Sequence, residues 1–124
     1  MKTVLVVEDS QMSFAFIRRM LASGTEYSAE YFSKNAENLL EIYEHYRPDI
    51  VAMDIVMEGV NGIEMTRMLT KAHPEARVVM LTSMAYQEIQ DDAMNAGAIG
   101  YIRKPLRLDQ MVSAFDKAME TPRG

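Results

Sequence analysis

Cysteine is absent from this 124-residue chain, which excludes disulfide frameworks and thiolate metal sites. No apolar run approaches the roughly 20 residues of a membrane span. The opening Met1-Lys2-Thr3 leads into an apolar stretch too short for a signal-peptide core. Basic residues are not in excess: 13 Lys and Arg against 18 Asp and Glu give a formal net charge of −5. That balance leaves no electrostatic footprint for nucleic acid or an anionic membrane surface. Repeats, low-complexity tracts and internal linkers are also missing. Together these absences point to one domain of common size at a cytoplasmic address. Methionine alone is plentiful, with 12 residues. They are scattered, which fits gap-filling in a core better than a docking surface.

The residues that are present alternate in type. Val4-Leu5-Val6-Val7 ends on Glu8-Asp9, and Ile50-Val51-Ala52-Met53 ends on Asp54. Val78-Val79-Met80-Leu81 ends on Thr82, and Ala98-Ile99-Gly100-Tyr101-Ile102 runs into Arg103-Lys104-Pro105. Short unbroken runs rich in Val and Ile predict strands buried on both faces, as in a parallel sheet. A weaker strand is expected from Tyr27 to Phe32. Between the strands lie amphipathic stretches. Ser10 or Gln11 opens a helix through Phe14, Ile17, Met20 and Leu21 that Gly24 stops, and Asn35 caps one that Arg47-Pro48 closes. Asn61 with Glu64 resembles a capping box for a helix ending before Pro74. A fourth helix runs from about Ala85 to Ala96 with Gly97 at C′, and a fifth follows Lys104-Pro105. Five βα units with right-handed crossovers make an α/β fold, a doubly wound five-stranded parallel sheet with helices on both faces. Parallel strands place their carboxyl ends on one edge, where such sheets bind ligands. Glu8, Asp9, Asp54, Thr82 and Lys104 therefore converge.

Taken singly, each of these residues has a plainer use. Asp9 serves as a helix cap, Glu8 as a solvated carboxylate, Asp54 as a turn starter and Thr82 as a turn hydroxyl. Lys104 alone reads as a surface charge and Tyr101 as an amphipathic strand residue. Their joint order along the chain is what argues for a site. Glu8-Asp9, then Asp54 with Met57 and Gly59-x-x-Gly62, then Thr82, then Tyr101-x-x-Lys104-Pro105 resembles the receiver domain of two-component response regulators over nearly the whole chain. The resemblance implies the flavodoxin-like strand order 2-1-3-4-5. It implies a phosphoacceptor, Asp54, that takes a phosphoryl group from a sensor histidine kinase or a histidine phosphotransfer protein. It makes Mg²⁺ the cofactor, held by Glu8, Asp9, Asp54 and the backbone carbonyl of Val56, a set of hard oxygen donors. Lys104, the Thr82 hydroxyl and the Ser83 N–H would bind the phosphoryl oxygens. Thr82 and Tyr101 would form a switch that remodels the face of the fourth helix, fifth strand and fifth helix toward a downstream protein or an output domain. Neither nucleic acid nor a membrane is an expected partner. The resemblance also implies a phosphoacceptor that assists its own phosphorylation and dephosphorylation rather than an enzyme.

Departures from the family pattern carry further expectations. Glu58 stands where many members have proline, and Ser83 where alanine is usual. Val56 and Met84 cannot hold an attacking water by hydrogen bonding, so self-dephosphorylation is expected to be slow. Ile99 replaces the acidic residue of the charge-paired dimer face found in winged-helix regulators. His45 and His73 are expected on the surface. Residues 1–120 form the domain, and residues 121–124 are a tail or the start of a linker. The native protein is then either a stand-alone receiver or a longer chain cut at that point. The alternative is a pseudo-receiver, an interaction module on the same fold that takes no phosphate. A magnesium phosphatase is disfavoured because Val56 stands where its second acid belongs. An FMN carrier is disfavoured because Glu8-Asp9 would repel the phosphate.

Overall fold

The computed structural model describes residues 1–57, 59–83 and 86–121. The apolar runs are strands: β1 Lys2–Val7, β2 Tyr27–Ser33, β3 Ile50–Asp54, β4 Val78–Thr82 and β5 Gly100–Arg103. They pair in parallel in the order β2-β1-β3-β4-β5. The intervening helices are α1 Gln11–Leu21, α2 Ala36–Tyr46, α3 Gly62–Ala72, α4 Gln87–Asn95 and α5 Leu108–Glu120.

Side chains alternate across the sheet, and both faces are dry. Leu5, Val7, Val51, Met53, Val78 and Met80 point into one core with Leu39, Tyr43, Met65, Leu69 and Ala93. Val4, Val6, Ile50, Ala52, Val79 and Leu81 point into the other with Ile17, Leu21, Met111 and Phe115. A strand whose odd and even positions both leave water needs no polar residue in its middle, so the runs are unbroken. Met53, Met65, Met80 and Met111 are fully or nearly fully buried, consistent with gap-filling.

Local signals act mostly as the sequence indicates. Asn35 Oδ1 accepts from the Asn38 N–H at 2.9 Å, and Asn61 Oδ1 from the Ile63 N–H at 2.8 Å. The first helix is capped by Ser10, whose Oγ accepts from the Ser13 N–H at 3.3 Å, so Asp9 is released from capping. Glu64 pairs with Arg67 on the helix surface. α2 ends with Arg47 in the left-handed region at φ 47°, and Glu75 holds its guanidinium at 2.8 Å. His73 departs from expectation. It is half-buried, its ring packed on Tyr43 with centroids 5.0 Å apart and its nitrogens 3.5 Å from Glu44 and 3.3 Å from Glu75. As the residue that closes α3, it is carried under the end of α2. The loop after Asp54 contains a two-residue antiparallel pair, Val56–Met57 with Val60–Asn61, that the sequence did not signal. Gly59 turns it with φ 72°.

Candidate functional site

Strand register brings the polar strand ends together. Val7 pairs with Met53, so Glu8 and Asp54 stand side by side one step further on. Asp54 pairs with Leu81 and Thr82 with Arg103, which sets Thr82 and Lys104 one level beyond. The Lys104 N–H donates to the Thr82 carbonyl at 2.8 Å, and the Lys104–Pro105 peptide is cis. From there Lys104 Nζ reaches over the end of β4 to within 3.3 Å of Asp54 Oδ1 and 3.8 Å of Glu8 Oε2. One carboxylate oxygen from each of Glu8, Asp9 and Asp54 lies within 4.8 Å of the others.

Burial differs among the three acids. Glu8 and Asp54 are 3% and 4% exposed, whereas Asp9 faces solvent. Glu8, which alone reads as a solvated carboxylate, is thus among the most buried polar groups. Its pKa is pushed from an ordinary 4.5 to about 7, first by burial, then by the hydrogen bond and charge of Asp54; Lys104 offsets part of this. Three carboxylates facing one ammonium leave the edge two positive charges short when all are ionised. Two carboxylates ~5 Å apart repel by about 3 kcal/mol at an effective dielectric of 20. The donors are oxygens only, partly buried and partly open, which fits a hard, partly hydrated divalent cation.

The remaining predicted residues surround this group. Thr82 is buried at the end of β4, and Ser83 is exposed in the bend after it. Tyr101 pairs with Met80 in register and is 39% exposed at the sheet's edge strand. Val56 is 57% exposed beside Asp54. Glu58 and Met84 lie outside the described residues. A cleft of about 420 Å³ lined by Glu8, Met12, Phe16, Lys104 and Leu106 opens onto the site. A larger groove, about 660 Å³, lies elsewhere, between the loop after α1 and α5, and contains none of these residues.

Gly62 has a role that spacing alone left unstated. Its N–H donates to the Ile55 carbonyl at 2.8 Å. A Cβ at that position would lie 2.8 Å from both the Asp54 carbonyl carbon and Ile55 Cα, and nearer still to the Asp54 carbonyl oxygen. The first residue of α3 therefore sits directly on the backbone of the central acid. The glycine was visible in the motif, but a contact between segments eight residues apart was not.

Known proteins arrange these elements in the same way. The profile of the response regulator receiver domain matches residues 4–116. The chain belongs to the response regulator receiver family. Chemotaxis protein CheY of Halobacterium salinarum is 35% identical over 118 residues, covering 95% of this chain and 97% of that protein. The transcriptional regulatory protein DegU of Brevibacillus brevis is 31% identical over 111 residues, and the receiver spans only 47% of its length. Among solved structures, the response regulator domain of Thermotoga maritima CheB superimposes with a TM-score of 0.86 at 26% identity, covering 98% of each chain. Receivers are signalling domains that interact with histidine kinases and output domains. Among the described residues no helix is long and apolar enough to cross a membrane.

Proposed function

We propose that this receiver accepts a phosphoryl group on Asp54 and converts it into a changed surface for a downstream protein. The observation that carries the reading is Lys104 Nζ at 3.3 Å from Asp54 Oδ1, beside three carboxylates whose oxygens lie within 4.8 Å. An Asp54 oxygen attacks the phosphorus of a phosphohistidine; the P–N bond breaks, and the imidazole leaves with the electron pair and takes a proton from solvent. Phosphoryl transfer of this kind depends mainly on positioning and charge neutralisation. Lys104 pairs with one phosphoryl oxygen, while the Thr82 hydroxyl and the Ser83 N–H donate to others. Glu8, Asp9, Asp54 and the Val56 carbonyl would hold Mg²⁺, which when bound neutralises the phosphoryl charge. The donor is a sensor histidine kinase or a histidine phosphotransfer protein, acting in the cytoplasm. Residues 1–120 form the receiver domain that does this.

The signal travels by a shift between two states. Thr82 is buried and Tyr101 is partly exposed on the same side of the sheet as Met80, its register partner. Phosphorylation adds about −1.5 to −2 charges and draws the Thr82 hydroxyl toward the phosphate. Tyr101 turns into the space that is vacated, and the face made by α4, β5 and α5 changes.

Intact mass after incubation with acetyl phosphate tests this, with and without Mg²⁺, on wild type and Asp54→Asn. A single phosphoryl adduct that requires both Mg²⁺ and Asp54 is the expected outcome. No adduct on a folded protein, beside a competent control receiver, would leave the pseudo-receiver as the better reading.

A further inference from the structure

Among the described residues, α4 buries the fewest side chains of the five helices. Within Gln87–Asn95 only Ala93 is buried, with Ile89 half-buried against the core. Its sequence carries Glu88, Asp91 and Asp92 and no basic residue in the last turn. Elements with few buried apolar contacts open at the lowest free energy.

Its two ends are fastened differently. At the N-terminal end, Tyr86 occupies the cap position without a side-chain cap hydrogen bond, and it is 72% exposed. At the C-terminal end the Thr70 hydroxyl of α3 lies 2.6 Å from the Ala96 carbonyl. Gly97, with φ 114°, packs against the same side chain; a Cβ there would lie 2.7 Å from Thr70 Cβ and Cγ2. The Ala98 N–H donates to the Ala93 carbonyl at 3.1 Å, and the Ile99 N–H to the Val78 carbonyl of β4 at 2.9 Å.

Thr70 is also tied to the phosphoacceptor's end of α3. Its hydroxyl lies 2.9 Å from the Thr66 carbonyl. The Thr66 hydroxyl, itself buried, is 2.9 Å from the Gly62 carbonyl and 3.3 Å from Met80 Sδ. Gly62 rests on the backbone of Asp54. A hydroxyl has one proton to donate, so Thr70 serves either its own helix or α4, and the shorter distance is to α4.

We propose that Thr70 is a positioning residue that pins the C-terminal end of α4 to α3. α4 then pivots about Thr70 and Gly97, and its N-terminal end, which presents Tyr86, is the part that moves. The pin stands on contacts between α3 and α4 alone, so it holds whether or not Asp54 takes phosphate.

Amide hydrogen exchange on the full chain without ligand tests the pivot. In wild type the Ile89 and Gln90 amides are expected to exchange at least fivefold faster than those of Ala96 and Ala98. Thr70→Val, which keeps the shape and removes the hydroxyl, should speed exchange at Ala96, Gly97 and Ala98 about fivefold to tenfold, the loss expected for one hydrogen bond. Exchange in α5 should stay unchanged, and Thr70→Ser should restore the wild-type rates. Equal rates at the two ends of α4 in wild type overturn the proposal, and that measurement needs no variant to fold. Wild-type rates in Thr70→Val, or a Thr70→Ser that exchanges as fast as Thr70→Val, overturn it as well.

Discussion

Replacing Gly62 by alanine sets two effects of opposite sign against each other. In an exposed helix, Gly→Ala stabilises by up to about 1 kcal/mol through backbone entropy. Here the new methyl meets the Asp54 carbonyl carbon and Ile55 Cα at 2.8 Å, below the 3.0 Å that real Cβ atoms essentially never cross. Both are backbone atoms. Asp54 belongs to β3, which is paired on both sides, with β1 and with β4, so it cannot yield as a side-chain tip would. Overpacking of this kind costs about 1–3 kcal/mol, and more where the neighbour is rigid. We therefore expect Gly62→Ala to lose about 2 kcal/mol, the upper end of that cost less the helix gain. For a chain of this size that is a fall in Tm of roughly 8 °C, at about 4 °C per kcal/mol. Gly59→Ala provides the comparison. Nothing lies within 4 Å of a Cβ there, and only φ 72° opposes it, at a cost of about 1–2 kcal/mol. Thermal unfolding by circular dichroism measures both. Acetyl phosphate labelling well below Tm should also be slower in Gly62→Ala, since moving the Asp54 backbone displaces its carboxylate, and a 1 Å misplacement can cost about 100-fold. A Gly62→Ala protein that melts at or above the wild-type temperature would refute the steric reasoning.

Other perturbations address the charges and the lifetime of the phosphate. Because the Glu8 pKa is raised to about 7, the metal-free fold binds more protons than the unfolded chain between about pH 4.5 and 7. Its stability should fall as pH rises through that window, by up to about 3 kcal/mol. Glu8→Gln should remove the slope, making the metal-free variant more stable than wild type at pH 8 while abolishing stabilisation by Mg²⁺. Denaturant titrations at pH 5 and pH 8 decide this, and parallel pH profiles would refute it. Tyr27 donates to Asp116 Oδ1 at 2.5 Å, and burial and that carboxylate raise its pKa well above the ordinary 10. The folded state keeps this proton where the unfolded chain loses it, so wild type should lose stability above pH 10 more steeply than Tyr27→Phe. Near neutrality the phenylalanine variant should be about 1 kcal/mol less stable, as urea titrations at pH 7 and pH 11 would show. Val56→Asn together with Met84→Glu should shorten the lifetime of the phosphorylated protein, measured by intact mass against time. An unchanged lifetime would remove these two positions from the account.

The amino-acid sequence by itself determined the five βα units and the polar residue at the end of each core strand. Unbroken apolar runs and helix caps are local properties, governed by neighbours within one turn or one strand. Val4 to Val7, Ile50 to Met53 and Val78 to Leu81 could be read because each strand buries both of its faces. The acids and the lysine could be read as converging because parallel strands share an edge. Tertiary structure decided what depends on distant backbone meeting distant backbone. It buried Glu8 while leaving Asp9 in solvent. It drew His73 under Tyr43, seated Gly62 on Asp54 and joined Thr70 to Ala96. Those outcomes are set by how closely α3 packs against β3 and against the end of α4, an approach that residue type permits and only the assembled sheet imposes.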